Sequence, residues 1–314
     1  MTTADRAAGR VVAFLGPHGT FTEAALRQLP DVGSDRPETS VSSAIDAVRR
    51  GTADAAVVPL ENSVEGAVPA TLDELARGSA VTIECEIYVD VSFVLAVRPG
   101  TTLDRVGSVA THPHAEAQCR RWLAEHLPCV RVELTSSTAA GATGVAAGKY
   151  DAAVCAQVAA ESAGLNVLGS DIGDNKGAVT RFICVTRPAP PPPPSRTDRT
   201  SVVAYIRENH TGALLEILTE FAIRGINLTR IESRPTRAQM GEYCFAIDAE
   251  GHIADARVGE ALAALHRICL DLRYLGSYPR GDGSVGVAAP AGRSDADFSA
   301  ASAWLDSLRR TGNG

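Results

Sequence analysis

Short apolar runs separated by amphipathic stretches fill the chain upstream of residue 187, and they predict alternating strands and helices. Six runs have the length and composition of a buried strand: VVAFL (11–15), ADAAVVPL (53–60), VSFVLAV (91–97), VGSVATH (106–112), VRVELT (130–135) and DAAVCA (151–156). Strands that alternate with helices usually pair in parallel, with the helices covering the sheet faces. The pattern therefore predicts an α/β region with largely parallel strands.

Beyond residue 200 the pattern changes to strand, helix, strand, strand, helix, strand. The segments are SVVAYIRE (201–208), GALLEILTEFAIRG (212–225), INLTRIES (226–233), YCFAIDA (243–249), ARVGEALAALHRI (256–268) and LRYLGSY (272–278). This order of elements predicts a ferredoxin-like βαββαβ domain over residues 200–279.

A proline-rich segment, RPAPPPPPS at 187–195, separates the two regions. Proline lacks a backbone N–H and fixes φ, so the segment cannot continue a helix or a central strand. We expect a stiff linker over 188–199. After Pro279 the chain is rich in glycine, alanine and serine, which predicts a flexible tail over 280–314 in which DFSAASAWLDSLRR can form one terminal helix.

Composition narrows the classes of function. The chain has 314 residues, of which 45% are hydrophobic, and two or three globular domains are expected. A formal net charge of −7 and the lack of a basic stripe argue against a nucleic-acid partner. The sequence shows neither a signal peptide nor an apolar run of the ~18 residues that a membrane helix needs. Seven cysteines without a CxxC pair favour reduced thiols. We expect a cytoplasmic protein that does not bind membranes.

Four segments place polar residues directly after a predicted strand, where α/β sheets bind ligands. They are GPHGTFTEAA (16–25), PLENSVEG (59–66), THPHAEAQC (111–119) and DNKGAVTRF (174–182). In the first, Gly16 and Gly19 allow a tight turn, and Thr20 can cap the following helix. The segment lacks GxGxxG and Walker spacing, so we expect no dinucleotide cofactor.

The segment PLENSVEG offers a candidate acid. Glu61 leaves an apolar strand, and partial desolvation there would raise the pKa of its carboxyl group and keep it protonated as a donor. Asn62 and Ser63 add neutral hydrogen-bonding groups. The alternative is a helix cap beside a solvated glutamate.

The segment THPHAEAQC carries an HxH pair and a cysteine, which raises the possibility of a metal site. The sequence shows no third well-placed ligand, so we expect no metal. We instead interpret Thr111 as a strand-end hydroxyl and Gln118 as a helix residue that reaches inward. His112 and His114 are then loop imidazoles.

The segment DNKGAVTRF places a hydroxyl beside a guanidinium. Neighbouring side chains on a regular strand face opposite ways, so Thr180 and Arg181 share a ligand only if the strand begins there or is twisted. Gly177 makes such a break plausible. The alternative is that Arg181 pairs with a carboxylate at the surface.

Taken in order, these four segments resemble the signatures of the prephenate dehydratase family, and the resemblance covers the chain from about Val11 to Tyr278. It implies a catalytic domain over 11–187 with two lobes like a periplasmic binding protein. One lobe would hold 11–88 with the returning strand 180–186, and the other 89–174. The substrate, prephenate, would lie between the lobes and be converted to phenylpyruvate without a cofactor.

The second region resembles an ACT domain, which in this family binds phenylalanine as a feedback inhibitor. The residues that match are Gly212, Ala213 and Leu214 in TGALLEIL, and Asn227, Leu228, Glu232, Ser233, Arg234 and Pro235 in NLTRIESRP. Such sites usually lie between subunits, so the resemblance implies a homodimer or homotetramer.

The chain departs from the family pattern in two respects. Ala178 stands where an asparagine is common, and Asn175 is a possible substitute. The stretch before Val11 is too short for the chorismate mutase domain of bifunctional relatives, so we expect a monofunctional enzyme.

The resemblance leads to a mechanistic hypothesis. Glu61 would supply the proton for the departing ring hydroxyl, and Thr180 would donate a hydrogen bond to it. Arg181 would hold the pyruvyl carboxylate, whose charge persists through the reaction. The remaining predicted substrate contacts are Thr20, Asn62, Ser63, Thr111, Gln118 and Phe182. Two alternatives stay open: arogenate dehydratase, and an amino-acid sensor without catalysis.

Overall fold

The computed structural model describes residues 9–195, 197–236 and 242–311. Its strands are β1 Arg10–Leu15, β2 Val32–Glu38, β3 Ala55–Asn62, β4 Gly66–Ala67, β5 Thr82–Asp90, β6 Phe93–Val97, β7 Ser108–Thr111, β8 Arg131–Leu134, β9 Ala152–Ala156, β10 Asn166–Gly169, β11 Val179–Thr186, β12 Asp198–Tyr205, β13 Leu228–Pro235, β14 Tyr243–Glu250 and β15 Asp271–Pro279. Its α-helices are α1 Phe21–Leu26, α2 Val41–Arg49, α3 Pro69–Ala76, α4 Pro113–His126, α5 Thr138–Ala146, α6 Gln157–Ser162, α7 Ala213–Ala222, α8 Ala256–Ile268 and α9 Asp295–Thr311.

The chain forms two compact units. The first comprises the N-terminal part up to Thr71 together with Ile87–Cys184. The second comprises Leu72–Glu86 together with the part that follows Cys184. These units are groups of residues in dense contact, so the domain limits expected from the sequence stay predictions.

One sheet has the strand order β2-β1-β3-β11-β5, with the short β4 beside β3. β1 pairs in parallel with both β2 and β3. Residues 12–14 of β1 are completely buried, as expected for a strand covered on both faces. The edge strand β2, VGSDRPE, is largely exposed and was not predicted. An edge strand needs no apolar pattern and tolerates Pro37, because one of its edges forms no ladder bonds.

A second sheet in the first unit has the order β10-β6-β9-β7-β8. β7 pairs in parallel with β8 and β9, whereas β6 runs antiparallel to β9 and β10. The expectation of mainly parallel strands therefore does not extend to β6. The chain enters β6 directly from β5, with only residues 91–92 between them, instead of after a helical crossover. Leu95, Val109 and Val154 form part of the buried core on one face of this sheet.

Two connections join the sheets of the first unit: β5 leads into β6, and the segment after β10 leads back into β11. The returning strand begins at Val179, directly before Thr180. This topology brings the ends of strands from one sheet close to helices of the other.

The second unit contains a four-stranded antiparallel sheet in the order β13-β14-β12-β15. Helices α7 and α8 pack on it through a core that includes Ile217, Phe221, Val258 and Leu265. The strand order and the connections confirm the predicted ferredoxin-like fold. β12 begins at Asp198, inside the segment expected to be linker.

Two further segments pack within the second unit. The Arg273 guanidinium donates from Nη1 to the carbonyls of Leu75 (3.2 Å) and Arg77 (2.9 Å), which holds the end of α3. The predicted tail is also held: its Arg280 Nη1 and its Val287 N–H each donate a hydrogen bond of 2.8 Å to Glu250 at the end of β14. None of the helices in the described ranges has the length and apolar character needed to cross a membrane.

Candidate active site and effector site

A cavity of about 330 Å³ lies in the first unit, between its two sheets. Its polar lining residues are Thr20, Asn62, Glu65, His112, His114, Gln118, Ser136, Ser137, Thr138 and Thr180. Phe21, Phe93 and Phe182 supply aromatic surface. No arginine or lysine is found among the described residues that line the cavity. The cavity thus combines apolar walls with uncharged donors, one carboxylate and two imidazoles.

Thr180 and Asn62 form a hydrogen-bonded pair at this cavity. The Asn62 side-chain Nδ2 donates to Thr180 Oγ1 at 2.8 Å. Its Oδ1 accepts from the backbone N–H groups of Val64 (2.8 Å) and Glu65 (3.0 Å), which fixes the orientation of the amide. Because Thr180 Oγ1 accepts from Asn62 Nδ2, the Thr180 O–H points away from this amide group.

Arg181 lies outside the group of residues that line the cavity. Strand β11 is regular from Val179, so Thr180 and Phe182 face the cavity and Arg181 faces the opposite way. Its guanidinium is 2% exposed and donates from Nη1 to Glu61 Oε1 at 2.9 Å. Glu61 also does not line the cavity. The roles predicted for these two residues stay predictions, and this geometry gives them no support.

Thr111 and Ser63 hold backbone in place. The fully buried Thr111 donates from Oγ1 to the Val154 carbonyl at 2.8 Å. The Ser63 Oγ accepts from the Val179 N–H at 2.9 Å and so ties the loop after β3 to the start of β11. Neither residue lines the cavity, whereas Thr20, the N-cap of α1, does.

Glu65 and His114 line the cavity, although neither was predicted as a site residue. His114 and Gln118 are four residues apart, on one face of α4. His114 Nδ1 lies 2.9 Å from Glu65 Oε2, and Gln118 Nε2 donates to Glu65 Oε1 at 3.2 Å. Burial, followed by the charge of His114, lowers the pKa of the neighbouring His112 imidazole. The HxH spacing is the sequence signal for this position, and it indicates loop imidazoles or a metal motif but not the contact with Glu65.

Two other expectations concern the same loops. No cluster of three or more His, Cys, Asp or Glu side chains suited to a metal ion occurs in the part of the chain that the structure describes. Cys119 is completely buried, and burial raises the pKa of its thiol to about 12. Ala178 is buried, while Asn175 is exposed and is not among the residues that line the cavity.

A second cavity, of about 250 Å³, lies at the N-terminus of α7 in the second unit. Gly212, Ala213, Leu214 and Ser233 line it, together with Tyr243 and Phe245, which were not predicted. Gly212 has a φ of 98°, a conformation that favours glycine. The other predicted residues, Asn227, Leu228, Glu232, Arg234 and Pro235, are not among those that line it.

Arg234 pairs with a carboxylate of helix α3 and does not line the second cavity. Its Nε and Nη2 both donate to Asp73 Oδ1, at 3.0 and 2.9 Å, so it joins β13 to helix α3. Leu228 packs against the core of the sheet and its helices. Of the neighbouring residues Ser233 and Arg234, only Ser233 lines the second cavity.

Comparisons with known proteins match both regions of the chain. The family model described as prephenate dehydratase matches residues 12–190, and the ACT domain model matches residues 201–267. The prephenate dehydratase of Mycolicibacterium vanbaalenii is 50% identical over 313 residues, covering 95% of this chain and 98% of that protein. The solved structure of prephenate dehydratase from Arthrobacter aurescens in complex with L-Phe is 51% identical, with a TM-score of 0.89, covering 96% of this chain and 99% of that one. A structure described as the quorum-quenching acylase GqqA is 31% identical, with a TM-score of 0.79, covering 86% and 98%.

Proposed function

Since this chain belongs to the prephenate dehydratase family, we propose that its cavity between the two sheets is where prephenate loses its ring hydroxyl and ring carboxylate to give phenylpyruvate. The observation that carries this proposal is the hydrogen bond from Asn62 to Thr180 at the cavity wall. It leaves the Thr180 O–H as a donor among aromatic side chains, where a hydrogen bond to developing negative charge is strong.

Thr180 stabilises the departing hydroxyl but does not protonate it. An aliphatic hydroxyl is too weak an acid to supply the proton, whereas a positioned donor can lower the barrier by ~3 kcal/mol. Aromatisation of the ring supplies the driving force, so the enzyme has to orient the ring and assist the leaving group.

The turn at Ser136–Thr138 is our proposed site for the pyruvyl carboxylate. It supplies three hydroxyl-bearing residues at the start of α5, where Ser137 accepts from the Ala140 N–H as the N-cap. This proposal replaces Arg181, which pairs with Glu61 and does not line the cavity. The ring carboxylate would lie near Phe21, Phe93 and Phe182, because the described lining has no arginine or lysine that would favour its charged ground state over the transition state.

L-Phenylalanine is the proposed ligand of the second cavity, where it acts as a feedback inhibitor. The relative from Arthrobacter aurescens was solved with L-Phe, and the ACT family match covers this cavity. Leu214 and Tyr243 at its rim are 36% and 40% exposed. We propose that a second subunit covers this rim in a homodimer or homotetramer. Phenylalanine can then inhibit only if it binds one arrangement of the subunits more tightly than another.

A cytoplasmic location and the domain limits 11–187, 188–199 and 200–279 are part of the same proposal. The seven cysteines are all free thiols, which suits a reducing compartment. The family matches to 12–190 and 201–267 lie close to the proposed limits.

Product analysis with prephenate and with arogenate tests this function. Absorbance of phenylpyruvate formed from prephenate is the expected result. Phenylalanine formed from arogenate with no turnover of prephenate would indicate the arogenate enzyme. A protein that binds phenylalanine but converts neither compound would be the sensor, and the proposal would be wrong.

A further inference from the structure

The cavity contains one carboxylate that is hydrogen-bonded on both of its oxygens. Glu65 Oε2 lies 2.9 Å from His114 Nδ1, and Glu65 Oε1 accepts from Gln118 Nε2 at 3.2 Å. Glu65 belongs to the loop between β3 and β4, whereas the other two side chains belong to α4. The contact therefore joins groups from the two sides of the cavity.

The hydrogen-bonding capacity of these groups fixes their roles. When Glu65 is ionised its carboxylate can only accept, and the hydrogen shared with His114 then resides on Nδ1. With Nδ1–H directed at Glu65, the second ring nitrogen, Nε2, is the position at which His114 gains or loses a proton. The His114 side chain is 65% exposed at the cavity, so a bound substrate can reach it.

The same loop also holds the Thr180 pair. The Glu65 N–H donates to Asn62 Oδ1 at 3.0 Å, and Asn62 Nδ2 donates to Thr180 Oγ1 at 2.8 Å. One short run of residues thus positions both the hydroxyl that stabilises the leaving group and the carboxylate that holds His114.

We infer that His114 is the catalytic acid of this enzyme and that Glu65 is the residue that positions it. This inference rests on the proposed function of the cavity. Protonated His114 donates from Nε2 to the ring hydroxyl of prephenate, while Glu65 accepts from Nδ1 and fixes the ring. Glu61, the acid expected from the sequence, does not line the cavity and accepts instead from Arg181.

The step balances without a cofactor. The proton of Nε2 passes to the ring hydroxyl as the C–O bond breaks, and water leaves with the electron pair of that bond. The bond between the ring and its carboxylate breaks in concert, its electron pair enters the ring, and CO2 leaves. Neutral His114 then recovers a proton from solvent, to which it is exposed.

The test compares two substitutions of His114, with turnover of prephenate measured by phenylpyruvate absorbance. His114→Ala removes both the proton and the contact with Glu65. His114→Asn keeps an amide N–H close to the position of Nδ1, and so keeps the contact, but it has no group in place of Nε2. If His114 is the acid, both variants lose about a hundredfold in kcat, with KM within a few-fold of wild type.

Added imidazole supplies a second measurement. It should restore part of the kcat of His114→Ala, because a free imidazolium can enter the space that the side chain left. Glu65→Gln should lower kcat by about tenfold with little change in KM, because the amide holds the ring less firmly. The matched control is His126→Asn on the same helix, where His126 stacks on Trp122 outside this cavity.

The outcomes that would contradict the role of His114 differ from the outcome that would contradict the proposed function. If His114→Asn keeps the wild-type kcat while His114→Ala does not, His114 only joins the two sides of the cavity, and the inference is wrong. Lack of rescue by imidazole in a folded His114→Ala protein also counts against it. Wild-type protein that does not convert prephenate would overturn the proposed function, and this inference with it.

Discussion

Strands β11 and β13 each place a hydroxyl residue directly before an arginine, and the two units use the pair in the same way. Thr180 faces the first cavity and Arg181 faces away from it; Ser233 faces the second cavity and the Arg234 guanidinium binds elsewhere. In both strands the arginine pairs with a carboxylate. The two arginines differ in the element that carries their carboxylate partner and in how far each guanidinium is buried.

Arg181 is 2% exposed and pairs with Glu61 on the neighbouring strand of its own sheet. Arg234 is 22% exposed and pairs with Asp73 on helix α3, far away in sequence. A buried guanidinium that loses its partner is costly. The Arg234–Asp73 pair is partly buried, with side chains 22% and 13% exposed, so it also contributes to stability, although solvent screens the Arg234 guanidinium more. Under the proposed function the two hydroxyls would serve ligands, whereas each arginine pairs with a carboxylate of the protein.

The largest expected effect follows from Thr180→Ala. Loss of the donor to the leaving hydroxyl should lower kcat by about a hundredfold to a thousandfold with little change in stability. Thr180→Ser keeps the hydroxyl and should retain most of the activity. Steady-state kinetics with prephenate and a thermal melt of each variant check this. Equal activity of the alanine and serine variants would remove Thr180 from the mechanism.

Arg181→Ala should show the opposite behaviour. Removing the buried guanidinium and its packing should lower the free energy of unfolding by about 3 kcal/mol. The KM for prephenate should stay within a few-fold of wild type, because the side chain does not line the cavity. Calorimetry and kinetics measure the two quantities. An increase in KM of about a hundredfold would show that Arg181 does contact a substrate carboxylate.

In the second unit, Ser233→Ala tests the hydroxyl at the second cavity, and Asp73→Asn tests the ion pair between Arg234 and Asp73. Ser233→Ala should weaken phenylalanine binding by about tenfold, through loss of one hydrogen bond. Asp73→Asn should lower stability by roughly 1 to 2 kcal/mol, because it weakens two partly buried hydrogen bonds from a charged donor, and leave phenylalanine affinity nearly unchanged. Isothermal titration calorimetry distinguishes them. Equal weakening by both substitutions would instead place the Arg234 guanidinium at the effector.

The smallest expected effect concerns another ion pair between an arginine and a carboxylate, formed by Arg280 and Asp282. Hydrogen bonds from Arg280 lower the pKa of the Asp282 carboxyl to about 2, against the opposing effect of burial. Because the folded-state pKa is below the ordinary 3.8, the pair stabilises the fold above about pH 4 and loses this effect as the pH falls towards 2.

Asp282→Asn should therefore be slightly less stable than wild type at pH 6, and the two proteins should converge near pH 2. Urea unfolding followed by circular dichroism at several pH values measures this difference. A difference that persists unchanged at pH 2 would mean that charge is not the cause.

Much of the fold could be predicted because apolar periodicity reports which residues are buried. The ferredoxin-like order and most buried strands of the first unit have strong runs such as AAVVPL and AAVCA. The edge strand β2 was missed because an exposed strand needs no apolar pattern. The motifs also contain residues that the fold brings to the two cavities, since Thr180, Asn62 and Gln118 line the first and Gly212 and Ser233 line the second. The roles of these residues stay predictions.

The sequence by itself thus determined the family, the order of most elements and several of the loops that line the two cavities. Only the tertiary structure decided which side chain in each loop faces the cavity. That depends on where a regular strand begins, and a shift of one residue exchanges Thr180 for Arg181. It also depends on contacts across large sequence separations, as between Glu65 and His114, because the packing of two sheets brings those groups together and no local spacing encodes the distance.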